Sequence, residues 1–141
     1  MNQDKFRQIR ENRWAANEDI KFSYGKKDSF QITVEKDFDT DFASLPFPLN
    51  LFYSKYGKYA LPAAVHDKLY RTKEFGKIMA DAVFYQAMKE EGVKLFTRLL
   101  FYIGLILLGW YGWYRVGEKL IKLKKKIKWI YKTLIQRQGR K

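Results

Sequence analysis

Hydrophobic and polar residues alternate twice near the start of the chain: Ile20, Phe22 and Tyr24, then Phe30, Ile32 and Val34, on either side of Gly25-Lys26-Lys27-Asp28. A period of two puts such side chains on one face of extended backbone, and the Gly-containing turn between the runs predicts a β-hairpin. Before it, Phe6, Ile9, Arg13 and Trp14 recur loosely, so residues 3–18 are expected to form a short polar helix or an arm. Asp37 to Pro48 follows neither period and reads as a loop in which Asp41 or Ser44 caps a turn or helix.

From Leu61 the spacing becomes helical. Leu61, Ala64, Val65 and Leu69 predict a helix over 61–71, with Pro62 tolerated in its first turn. After a break at 72–76, Ile78, Asp81, Ala82, Tyr85 and Met88 recur at helical spacing and predict a second helix over 77–91, stopped by Gly92. Leu99 to Tyr114 carries no charge. As a helix it is about 24 Å long, short of the ~30 Å hydrocarbon core, and extension to Leu95–Gly117 makes it long enough to span. Glu118 to Gln138 sets Leu120, Ile127 and Leu134 seven apart, with Leu123 and Ile130 between them and lysines elsewhere. That is the pattern of a basic amphipathic helix.

The fold class expected is therefore α+β: an N-terminal β-hairpin, then an antiparallel helix hairpin, a long hydrophobic helix and a C-terminal basic amphipathic helix. A chain of 141 residues supports one core. Residues 1–93 would form the body, and 94–141 an extension that contacts a membrane or an assembly.

Charge sharpens this division. Residues 1–114 hold 17 Lys and Arg against 14 Asp and Glu, whereas 115–141 hold 11 against one, so most of the net +13 sits in the tail. Arg115, Lys119, Lys122, Lys124, Lys125, Lys126, Lys128 and Lys132 are candidate contacts for phosphate, on lipid or nucleic acid. Leu99, Phe101, Ile103, Ile106, Leu108, Trp110 and Trp113 are the candidate membrane-facing residues, the tryptophans suiting an interfacial belt. The alternative for this segment is the buried core helix of a soluble domain. Without cysteine, disulfides and thiolate metal sites are excluded. The polar N-terminus has no apolar h-region, which predicts no cleaved signal peptide.

The chemistry concentrates in His66-Asp67-Lys68-Leu69-Tyr70 and in Asp81. His66 is the only histidine, and on a helix Tyr70 lies one turn above it. An antiparallel return would bring Asp81 to face His66. An imidazole oriented by a carboxylate can act as a general base or contribute to a metal site. The same cluster can equally be a hydrogen-bonded network that fixes one helix to another. The acids of the 37–48 loop could hold a hard cation, but their spacing is not that of an EF-hand.

Thr40-Asp41-Phe42-Ala43-Ser44-Leu45-Pro46, His66-Asp67-Lys68-Leu69-Tyr70, Ala80-Asp81-Ala82-Val83-Phe84 and Glu91-Gly92-Val93, in that order, resemble a family of small, functionally uncharacterised proteins of tailed phages and prophages. The resemblance covers roughly residues 20–115 and implies a viral origin. The shorter pattern of His66-Asp67 with Tyr70, then Asp81 with Phe84, also resembles the catalytic core of secreted and parvoviral phospholipase A2 enzymes. That resemblance implies His66 as the base that activates water, Tyr70 and Asp81 as the pair orienting it, and Asp67 as a ligand of calcium. The family's Gly-rich calcium loop is absent, with Pro46-Phe47-Pro48 in its place, so Asp41 would have to serve as a second ligand.

Three functions follow in order of expectation. The first is a phage-encoded, membrane- or particle-associated accessory protein of the virion, of lysis or of entry, located in the viral particle or at the host membrane. Its partners would be other phage proteins and lipid, and it needs no small-molecule cofactor. The second is a phospholipase A2-like lipid-ester hydrolase using calcium. The third is a virion protein that contacts nucleic acid, although no recognisable nucleic-acid module is present.

Overall fold

A computed structural model describes residues 2–11, 13–25, 30–41 and 57–138. The architecture is α+β: among the described residues, five short strands form two small antiparallel sheets and are followed by three α-helices. Strands β3 (Ile20–Tyr24) and β4 (Phe30–Val34) form the expected hairpin, with Ile20 opposite Val34 and Phe22 opposite Ile32. All four of these side chains are buried. Between them, Lys21 and Gln31 point outward, as the period of two requires.

The N-terminal segment departs from expectation. After a short 3-10 turn, β1 (Phe6–Arg10) and β2 (Arg13–Ala16) pair antiparallel, with a register shift between Gln8 and Arg10. Only Phe6, Ala15 and Ala16 are buried there, so the core-facing signal was too sparse to distinguish strand from polar helix. A second departure follows in the supposed loop, where Asp39–Thr40 forms β5 on the far edge of β2. Residues 42–48 of that loop, Ser44 among them, lie outside the described residues.

Helix α1 (Ala60–Thr72) ends at Lys73, whose left-handed φ of 57° lets its N–H close on the Leu69 carbonyl at 3.0 Å. A four-residue turn leads into α2 (Lys77–Glu90), which stops at Gly92 with φ 70°. The apolar faces of α1 and α2 close over β3 and β4, while Phe84, Met88 and Val93 form a second cluster with Phe101 and Leu105.

The hydrophobic and basic segments are one continuous helix, α3 (Leu95–Gln138), because none of its internal glycines interrupts the hydrogen-bond ladder. Phe101, Leu105, Gly109 and Trp113 recur every four residues along its side towards α1 and α2. Leu123 and Ile127 stand eighteen residues, or five turns, beyond Leu105 and Gly109 and so continue that side. There the body of the protein has ended, and they are 54% and 57% exposed.

Candidate functional site

Antiparallel packing of α1 on α2 assembles the cluster that the sequence suggested. Asp81 is its hub, buried at the start of α2. Its Oδ1 lies 3.0 Å from His66 Nε2 and accepts a 2.8 Å hydrogen bond from the Tyr70 hydroxyl. The ring of His66 is held between Tyr70 and Phe84, at centroid distances of 4.1 and 4.9 Å. His66, Tyr70 and Asp81 therefore meet as expected.

Lys77 was not anticipated. Its ammonium sits 2.5 Å from Asp81 Oδ2 and donates a 2.8 Å bond to the Leu105 carbonyl of α3. The readable signal was its place four residues before Asp81, the spacing of a helical ion pair. Burial pushes the Asp81 carboxyl up, but the hydrogen bonds from His66 and Lys77 outweigh it and hold the group below its ordinary value. The Tyr70 phenol is pushed up by its burial and then by the Asp81 charge beside it.

An ionised carboxylate only accepts hydrogen bonds, so Nε2 of His66 carries the proton and, in the neutral ring, Nδ1 holds the lone pair. Among the described residues only Asp81 hydrogen-bonds this histidine, and its side chain remains 14% exposed. Chemically, the arrangement is a base oriented from behind by a carboxylate, with one nitrogen left for a proton from water.

Asp67 faces another way. Its Oδ2 accepts from the buried Thr40 hydroxyl at 2.7 Å and from Arg71 at 3.2 Å, tying α1 to β5. Burial raises its carboxyl, against the pull of Arg71 and with the nearby charge of Asp41 adding to the rise. The positive charge beside Asp67 is thus a guanidinium. Among the described residues no three of His, Cys, Asp or Glu converge on a metal position, and Asp41 borders the part of the loop that lies outside them.

The membrane-facing set divides. Leu99, Ile103, Ile106, Leu108 and Trp110 are exposed. Phe101 is instead fully buried against Phe84, and Trp113 turns its edge to Tyr70 at 5.0 Å. Lys73 reaches the same tryptophan, with Nζ 3.3 Å from the ring centroid and 2.7 Å from the Trp113 carbonyl oxygen. Both fall on the side of α3 that packs on the body. The most exposed residues of the segment, Phe96, Tyr111 and Leu107, were not in the expected set. Of the phosphate-binding candidates, Arg115, Lys122, Lys125, Lys126 and Lys128 stand on exposed or partly exposed helix, and Arg115 lies over the Tyr111 ring at 5.7 Å. The side chains of Lys119, Lys124 and Lys132 fall outside the description.

Compared with known proteins, residues 14–105 match the model of a family described as "Protein of unknown function (DUF1353)". No curated protein and no solved structure matches.

Proposed function

The chain belongs to the DUF1353 family, and from that premise we propose that it is a phage-encoded accessory protein, of the virion, of lysis or of entry, that works bound to a membrane surface. The observation that carries the reading is the outward side of α3. Opposite the stripe that packs on the body, Phe96 and Leu107 are 78% and 71% exposed, and Ile103, Trp110 and Tyr114 extend the same apolar surface. Five turns beyond Leu107 and Trp110, that side carries the exposed Lys125 and Lys128. Apolar and aromatic residues followed by lysines suit an interface with anionic headgroups.

The packing of α3 favours lying along the bilayer over crossing it. One stretch, Leu95–Trp129, is apolar enough to span. Its part between Arg98 and Trp113, about 22 Å of helix, is also the part held by Tyr85 and Lys73 of the body. Crossing would drag α2, with its exposed Lys89 and Glu90, into hydrocarbon. The order of the Thr40–Pro46, His66–Tyr70 and Ala80–Phe84 motifs supports the phage origin.

Flotation of the full chain with vesicles tests the reading. Binding is expected to vesicles containing an anionic phospholipid, and to weaken as salt rises without vanishing, since inserted side chains are not screened. A chain that stays unbound with every vesicle but shifts a nucleic acid overturns the proposal in favour of nucleic-acid contact.

A second reading, a lipid-ester hydrolase of phospholipase A2 type, is favoured by one observation: the 3.0 Å contact of His66 with Asp81, which leaves Nδ1 available. Fatty-acid release from phospholipid vesicles, with and without calcium, decides it, using His66→Ala as the control. Release lost in that variant makes the protein an enzyme; its absence in the wild type leaves the cluster as a brace between helices.

A further inference from the structure

A cavity of about 300 Å³ opens between β3, α2 and α3, lined by Tyr24, Ala82, Tyr85, Gln86, Leu99 and Tyr102. None of the Asp81 cluster lines it. Three features define what it would hold. Its size is at the lower end of small-ligand sites, roughly 300–1,000 Å³. Its walls are mainly hydrocarbon and aromatic, with phenol and amide groups available for a few polar contacts. Its rim includes Leu99, which is exposed on the outward side of α3 beside Phe96 and Ile103.

Arg98 adds the charge. Its guanidinium carbon lies 5.1 Å from the centroid of Tyr85, a wall of the cavity. Among the described residues no carboxylate pairs with it, and its Nε is buried with no hydrogen-bond partner. An unpaired cation stacked on an aromatic wall, next to an apolar cavity whose rim lies on an apolar surface, is complementary to an amphiphile with an anionic head. Of the lysines that the start and approach of α2 turn towards α3, Lys77 is committed to Asp81 and Lys73 to Trp113.

We infer that this cavity binds a single anionic glycerophospholipid, with the phosphate at Arg98 and the start of an acyl chain between Leu99, Ala82 and the tyrosines. The inference rests on the membrane reading only for the supply of lipid. A bound lipid would complete the apolar surface of α3 at the edge where the groove to α2 interrupts it.

The probe is dihexanoyl-phosphatidylglycerol kept below its aggregation concentration, titrated calorimetrically into the full chain, with dihexanoyl-phosphatidylcholine and hexanoate as comparisons. Saturable one-to-one binding of the phosphatidylglycerol is expected, weakened about tenfold or more in Arg98→Gln, the scale of one lost charge-assisted contact. Ala82→Leu, which fills the cavity, should abolish binding. Both variants should still float with anionic vesicles, because Phe96, Ile103 and Leu107 are untouched. Wild-type protein that floats but takes up no short-chain lipid overturns this inference and leaves the membrane reading standing. Hexanoate binding as tightly as the phospholipid overturns the assigned occupant in favour of a free fatty acid. Failure of the wild type to float is a separate result, against the membrane reading itself.

Discussion

Lys77 and Asp81, one turn apart on α2, form an ion pair with both side chains only 2% exposed, and Lys77 extends it to the Leu105 carbonyl of α3. The pair therefore joins α1, α2 and α3 at one point, through His66 and Tyr70 on one side and Leu105 on the other. A buried pair adds little net stability over an apolar substitute, but breaking it leaves an uncompensated charge. Lys77→Met should accordingly cost about 3–5 kcal/mol in urea unfolding. Lys77→Met with Asp81→Asn should recover much of that loss. The neutral amide removes the stranded charge, while its oxygen still accepts from His66 and Tyr70. A double variant no more stable than Lys77→Met alone would mean that the cost lies in packing and not in charge.

Asp81 and Asp67 should give stability opposite dependences on pH. The folded state holds Asp81 below its ordinary value, so its stabilisation is present above about pH 4 and lost as pH falls through the folded-state value. Asp67 is raised by burial, so its favourable contribution is present in acid and lost as pH rises through its folded-state value. Asp81→Asn should be the less stable protein at neutral pH and converge with wild type in acid. Asp67→Asn should match wild type in acid and equal or exceed it at neutral pH. Urea midpoints measured across the acid range separate the two.

Much of this site could be read from the chain because its members lie on two consecutive helices. Once His66, Tyr70 and Asp81 fall on helices joined by a short turn, helical spacing alone makes them face one another. What could not be read came from contacts between distant segments. Thr40 reaches Asp67 only because Asp39–Thr40 pairs as β5. Lys77 looks like a surface lysine until α3 covers it. Phe101 and Trp113 share an apolar run with Leu99 and Ile103, and hydropathy is blind to which side of a helix another element will occupy. The β1–β2 hairpin was hidden by its own exposure, since two strands that bury only three residues between them leave too little alternation to recognise.

Gly109 marks where α3 comes closest to the site. A Cβ there would lie 3.0 Å from Lys77 Nζ, 3.1 Å from Lys77 Cε and 3.1 Å from the Tyr70 hydroxyl. At Gly112 a Cβ would meet nothing within 4 Å. Both lie inside a helix, where Ala is favoured over Gly by about 1 kcal/mol. Gly112→Ala should therefore raise the melting temperature. Gly109→Ala should lower it, because overpacking costs about 1–3 kcal/mol and the displaced group is a committed ammonium. Equal shifts in the two variants would show that α3 does not press on Lys77.

The two sides of α3 can be told apart by placing the same charge on each. Phe101 is fully buried against Phe84, so Phe101→Glu strands a carboxylate in the second core cluster and should unfold the protein or leave it aggregated. Leu107 points outward, and Leu107→Glu should leave the unfolding free energy within about 0.5 kcal/mol of wild type, the usual range for surface changes. Its effect should appear only with lipid. Burying a leucine side chain in the bilayer interface contributes up to about 1.5–3 kcal/mol, so losing it should reduce partitioning to anionic vesicles by roughly tenfold to a hundredfold. Lys125→Gln, five turns further along the same side, should instead cut binding mainly at low salt, where exposed charge is least screened. If Leu107→Glu floats as well as wild type while Lys125→Gln does not, the outward side of α3 is an electrostatic surface alone, and the apolar insertion proposed for it is wrong.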